Sequence, residues 1–138
     1  MLVHVSAKNI DRIWDRMVPG LSRALEDTTL GEFWDLESAR ELIEKGALLA
    51  FHQPASGYSG VYSFNQTPKA LQLTFFWSGK TADNDVQVDW EEVDAYLTHI
   101  AEVFECSHIQ CEGRVGWKKI VEPLGYHVDG SLYLKRIT

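Results

Sequence analysis

Apolar and polar residues alternate from Leu2 to Ser6, the period of a strand with one buried face. Ile10, Ile13, Trp14 and Met17 then recur at helical spacing behind Asn9, a residue type suited to capping. Pro19-Gly20 is expected to break or kink that helix, because proline lacks an amide and its ring collides with the preceding turn. Leu21 and Leu25 prolong the pattern briefly, and residues 26–34 read as a polar and aromatic loop carrying Phe33 and Trp34. Asp35 caps a second helix, Leu36 to Lys45, which Gly46 stops. Three strands follow, Ala47 to His52, Gly60 to Phe64 and Ala70 to Trp77, and the turn-forming runs Pro54 to Gly57 and Asn65 to Pro68 join them as a meander. Residues 79–88 form a polar loop. Asp89-Trp90-Glu91-Glu92 then has the D-x-x-E pattern of a capping box and opens the longest helix, striped by Trp90, Val93, Leu97, Ile100 and Phe104. His108 to Cys111 is a short strand and Val115 to Leu124 a short amphipathic segment. Gly125-Tyr126 turns the chain into a last strand, Ser131 to Ile137. The element order is β-α-α-β-β-β-α-β-α-β, an α/β arrangement with a mixed central sheet flanked by about four helices.

With 138 residues, 45% of them hydrophobic and 24% charged, the chain reads as one globular domain over residues 1–138. A chain of this length buries ~68–70% of its unfolded surface, enough for a core without disulfides or metals. The net charge of −7 argues against nucleic-acid binding, which needs a basic footprint, and suits a soluble protein or one that docks on a basic partner. No apolar run reaches the ~18–20 residues of a membrane span. Met1 to Val5 shows neither a basic region nor a cleavage site, so no export signal is expected. Cys106 and Cys111 read as two reduced thiols. His4, His52, His99, His108 and His127 never pair at metal-ligand spacing, so no metal site is expected. Ser78, Ser107 and Ser131 lack the surroundings of a nucleophile elbow.

The stretch from Cys111 to Tyr126, C-E-G-R-V-G-W-K-K-I-V-E-P-L-G-Y, is the most informative. Strand, short helix, Gly-aromatic, strand is how the GNAT acetyltransferase fold closes. The variant G-R-x-G-W followed by L-G-Y resembles a small GNAT-like family of phage and prophage proteins, including internal virion proteins of short-tailed phages. The resemblance implies a GNAT-like fold over essentially the whole chain. It also implies partners among other phage structural proteins or a second copy, and a location in host cytoplasm and virion. Gly113, Arg114, Gly116, Trp117, Gly125 and Tyr126 carry the motif. Trp117 is expected to be buried. Arg114 either bonds carbonyls or a carboxylate at the strand end, the favoured reading, or forms an anion-binding cluster with Lys118 and Lys119. Phe33 and Trp34 either line an acceptor groove, form a binding patch or cover the core.

Enzymes of the GNAT family hold acetyl-CoA at a splayed strand pair, with its pyrophosphate on a Q/R-x-x-G-x-G/A turn before the long helix. Glycines let backbone approach phosphate there, and free amides with the helix dipole favour its charge. The matching positions are Ser78, Gly79 and Lys80, which with Arg114 are the residues that would hold the cofactor. Asp83, Asp85, Asp89, Glu91 and Glu92 crowd that place with negative charge. Gly79-Lys80-Thr81 is no P-loop either, because Thr74 stands where its first glycine belongs. Counting back from Gly125, the family's general-acid tyrosine is Val121, leaving Tyr126 or a water as the substitute, and the fourth strand offers Gln72 and Thr74 in place of a carboxylate. The resulting expectation is a GNAT-like protein with a degenerate coenzyme A site and no cofactor, acting through protein contacts. The alternatives are an active N-acetyltransferase using acetyl-CoA and an acidic regulator of a basic partner.

Overall fold

A computed structural model describes the backbone of every residue except Arg114, and the side chain of every residue except Arg114 and Val115. β1 (Val3–Val5), β2 (Leu49–Gln53), β3 (Tyr58–Gln66) and β4 (Leu71–Lys80) pair antiparallel in that order. β5 (His108–Cys111) adds parallel to β4, making the sheet mixed. α1 (Ile10–Asp27) and α2 (Leu36–Glu44) lie between β1 and β2 in the chain. α3 (Trp90–Val103) is the crossover that a parallel β4–β5 pair requires. α4 (Lys118–Val121) follows β5 between two 3-10 turns, Val115–Trp117 and Glu122–Leu124.

The period of two along each strand sorts side chains onto two cores. On the α1 side Ile10, Trp14, Met17 and Leu21 pack with Val5, Ala50, Val61 and Trp77. On the α3 side Val93 and Leu97 pack with Phe51, Tyr62, Leu73 and Phe75. Strict alternation would put Phe75 and Trp77 on the same face. They part because the β3–β4 register shifts: Val61 lies opposite Trp77 but Tyr62 opposite Phe75, so Phe76 is an extra residue. That bulge inverts the strand, and Trp77, 1% exposed, turns toward α1 and donates from Nε1 to the Leu21 carbonyl at 3.1 Å.

Several expected boundaries move for identifiable reasons. α1 does not break at Pro19-Gly20 but runs on to Asp27. A proline inside a helix costs ~3 kcal/mol, yet buried Met17, Leu21 and Ala24 hold the helix on the sheet on both sides of it. Gly20 has a packing reason instead. A Cβ there would lie 2.8 Å from the carbonyl carbon of Gly79, and one on Gly79 would lie 2.6 Å from that of Gly20, so the backbones of α1 and β4 touch. Part of the 26–34 loop is a 3-10 turn, Thr29–Glu32, whose first amides Thr28 caps by accepting from Leu30 N at 3.2 Å. Asp35 caps α2 as expected, accepting from Ser38 N at 2.7 Å. Asn9 stands at the start of α1 but turns its side chain back, accepting from Ser6 N and donating to the His4 carbonyl.

The last expected strand is the clearest departure. Residues 127–138 form no strand, and Tyr133 and Ile137 are 90% and 84% exposed. Alternation supplies the side-chain pattern of a strand, but a strand also needs a neighbour for its backbone groups, and here Arg136 pairs with Glu32. Among the described residues, β5 pairs with β4 alone, and no helix is long and apolar enough to cross a membrane.

Candidate functional site

β4 and β5 run together from Gln72 opposite His108 to Phe75 opposite Cys111, and the Glu112 amide makes a last bond to the Phe75 carbonyl at 3.0 Å. β4 then continues to Lys80 while β5 ends, so the two strands part. Aromatic rings occupy the mouth of this cleft. The Trp117 ring stands 6.1 Å from Phe75 and 5.4 Å from Trp90, and Trp90 in turn packs edge-on against Tyr58 at 5.0 Å. Gly113 makes room for the Trp117 indole, since a Cβ at Gly113 would lie 2.7 Å from it. Trp117 is half-buried rather than fully enclosed as expected, because it closes the cleft from its rim. Trp117→Ala is therefore expected to cost ~2–3 kcal/mol in urea denaturation, below the ~3–5 of a fully buried large aromatic.

Behind the rings remains a cavity of about 20 Å³, room for roughly one water, lined by Asp94, Cys111, Val121 and Tyr126 among apolar neighbours. Tyr126 donates to Asp94 Oδ1 at 3.1 Å. Burial, with Cys111 and Asp94 beside it, raises the pKa of Tyr126 well above the usual phenol range. Burial also pushes the Cys111 thiol up to about 11. At neutral pH the site thus holds a protonated phenol and a protonated thiol, with the phenol's hydrogen already engaged. On β3, the other neighbour of β4, the Tyr58 hydroxyl is buried beside Ser78, and burial raises its pKa strongly.

The second half of a nucleotide-cofactor site would be the N-terminus of α3. Asp89 caps it by accepting from Glu92 N at 3.1 Å. Only half of the expected capping box forms, because Gln53 takes the Asp89 amide in place of the Glu92 carboxylate. Gln53, buried at the end of β2, accepts from Asp89 N and donates to both the Asp89 carbonyl and Glu92 Oε1, each at 3.1 Å. Ser78, Gly79 and Lys80 lie on β4, opposite Gly60, Ser59 and Tyr58, instead of in a turn. The ladder persists there because the β3 hairpin partner reaches equally far. Lys80 Nζ donates to the Asn84 carbonyl. Thr81 N bonds the Gly57 carbonyl at 3.0 Å and Asn84 Nδ2 the Ala55 carbonyl at 3.1 Å. Residues 81–84 are thus fastened onto the β2–β3 turn.

These residues do not fit coenzyme A as they stand. A pyrophosphate needs unshared amides and positive charge. The first turn of α3 presents Asp89, Glu91 and Glu92, and Lys80 is engaged. The structure brings Trp117, Val121 and Tyr126 together at the cleft, and Gly125 supplies the left-handed turn (φ +97°) ahead of Tyr126. A Cβ on Gly116 would meet no described atom within 4 Å, and Arg114 lies outside the described residues. Gln72 and Thr74 sit on the paired part of β4. Phe33 is 66% exposed, whereas Trp34 packs on Phe76 and Trp77. Sequence reasoning missed Gln53, Tyr58 and the cleft role of Trp90. None of these had a signal in the sequence, where Gln53 falls just past the expected strand Ala47 to His52.

No protein-family model and no curated protein matches the chain. Solved structures do. A probable acetyltransferase superposes with a TM-score of 0.71 at 12% identity, over 100% of this chain and 99% of that one. The ribosomal-protein-alanine N-acetyltransferase of Brucella melitensis biovar Abortus 2308 gives 0.69 at 15% identity, over 99% of each chain. An aminoglycoside N-acetyltransferase in complex with CoA gives 0.67 at 10% identity, over 99% of this chain and 93% of that one. Together with the mixed five-stranded sheet and its four helices, these matches establish that this chain has the GNAT acetyltransferase fold.

Proposed function

We propose that this protein is a GNAT-fold binding protein whose cofactor cleft is closed by its own side chains. The observation that carries this reading is the edge-to-face row of Trp117, Trp90 and Tyr58 at the mouth of the β4–β5 cleft. The carboxylate-lined start of α3 supports it. The G-R-x-G-W and L-G-Y motifs favour a phage or prophage origin, in a virion-associated or assembly role with other phage structural proteins or a second copy as partner. The exposed apolar side chains Leu132, Tyr133 and Ile137 suit such contacts. Isothermal titration with acetyl-CoA is expected to show no saturable heat below millimolar concentrations at physiological salt. Amine acetylation is expected to stay at the uncatalysed rate. Micromolar, salt-insensitive binding would overturn the reading, and so would turnover that disappears in Tyr126→Phe. Mass spectrometry of purified particles tests the virion role, and absence of the chain from particles and assembly intermediates counts against it.

One observation favours the alternative, an active N-acetyltransferase. Past Phe75, β4 has one edge without a strand partner among the described residues. The aminoglycoside enzyme of like fold binds CoA. In this reading the indole of Trp117 swings out before the cofactor enters. Trp117→Ala would then bind acetyl-CoA more tightly than the unmodified protein, a difference that the same titration reads directly.

A further inference from the structure

Fastening residues 81–84 onto the β2–β3 turn shapes a second cleft, on the α1 side of the sheet. It holds about 340 Å³, within the range of small-ligand sites, and Arg16, His52, Thr81, Asp83 and Asn84 border it. Arg16, Gly20 and Arg23 share one face of α1 at four- and three-residue spacing. Gly20 touches Gly79, and Arg23 Nη1 donates to the Lys80 carbonyl at 2.7 Å. That registration leaves Arg16, one turn earlier, over the cleft, where it makes no ion pair or hydrogen bond among the described residues.

His52 stands beside it, only 3% exposed. Its Nδ1 lies 2.8 Å from Ser59 Oγ, which fixes the ring; with the Ser59 hydroxyl donating to Nδ1, Nε2 carries the ring hydrogen and has no partner among the described residues. Burial and the nearby Arg16 charge both lower its pKa, so the ring is neutral at pH 7. Thr81 and Asn84 spend their side chains on the Gly57 and Ala55 carbonyls and serve as wall. Among the described residues, Asp83 is the one acid on the lining. A guanidinium without a partner, next to a fixed imidazole, is chemistry for an oxyanion. Asp83 disfavours a bare dianion and favours a molecule that also carries a hydrogen-bond donor.

We propose that this cleft binds a small organic oxyanion, a carboxylate or phosphate ester, held by the Arg16 guanidinium and His52 Nε2, with Asp83 accepting from a hydroxyl or ammonium on the same molecule. This site stands apart from the β4–β5 cleft, and its test does not involve coenzyme A. NMR of the isotope-labelled full chain follows the Arg16 side chain and the His52 ring during titration with sodium phosphate, sodium acetate and phosphoserine. Sodium chloride at equal ionic strength serves as the control. Saturable shifts with phosphate or acetate, absent with chloride, are expected, and the tighter of the two identifies the oxyanion class. Arg16→Gln, at an exposed position, should keep the rest of the spectrum while weakening binding about tenfold or more. Phosphoserine should bind more tightly than phosphate, and Asp83→Asn should remove that advantage. Shifts that follow ionic strength alone, or binding that survives Arg16→Gln undiminished, would overturn the proposal.

Discussion

Gly79→Ala is expected to destabilise the protein by at least ~3 kcal/mol, at the upper end of overpacking costs. The added methyl would overlap the Gly20 carbonyl oxygen and lie 2.6 Å from its carbonyl carbon. Its neighbour is backbone, so no rotamer change relieves the clash. The helix cannot retreat cheaply either, because Met17 and Leu21 on the same helix are fully buried against the sheet. β4 is held from its other side by the ladder to β3, where Gly79 lies opposite Ser59. In equilibrium urea denaturation the midpoint should fall without a change in slope. The melting temperature should drop by about 10 °C for a domain of this size. A loss below ~1 kcal/mol would show that α1 slides freely over β4. The substitution also displaces Arg16 from His52, so it should weaken oxyanion binding in the α1-side cleft as well.

Gln53→Leu should cost ~2–4 kcal/mol although it changes side-chain volume little. The Gln53 amide is 2% exposed and joins the Asp89 amide and carbonyl, Glu92 and the Ser56 hydroxyl. Leucine leaves those groups without a partner, at ~1–3 kcal/mol for each one that stays buried. Asp89 and Glu92 reach solvent and recover part of that loss. Amide hydrogen exchange should therefore accelerate over residues 81–92, where α3 is tied to β2, while the paired amides of β2 and β3 stay protected. Gln53→Glu should be worse than leucine near neutral pH. Its carboxylate cannot donate to the Asp89 carbonyl, and it would face the Glu92 carboxylate. Unchanged stability and exchange in Gln53→Leu would mean that the start of α3 is held by its own cap alone.

The hydrophobic pattern was sufficient for what depends on local periodicity and on side chains close in sequence. Ile10 to Met17, Leu36 to Glu44 and Trp90 to Val103 form helices where their apolar stripes place them, and the Asp35 and Asp89 caps act within one turn. The alternating runs gave the meander, and the closing motif pointed to the fold that the solved structures share.

What needed the tertiary structure was each feature resting on a partner far along the chain. Helix α1 passes Pro19 because burial on both sides outweighs a local penalty that the residue itself announces. Segment 131–137 has the alternation of a strand but no neighbour to pair with, and alternation cannot supply one. The extra residue Phe76 changes which face Trp77 serves, and nothing in a run of apolar residues marks where a bulge falls. Gln53 meets Asp89 and Glu92, and Arg16 meets His52, only because the sheet and α1 bring together residues dozens of positions apart. Composition and spacing determine which elements can form. Long-range packing decides which of their polar groups face each other, and so where this chain can bind a ligand.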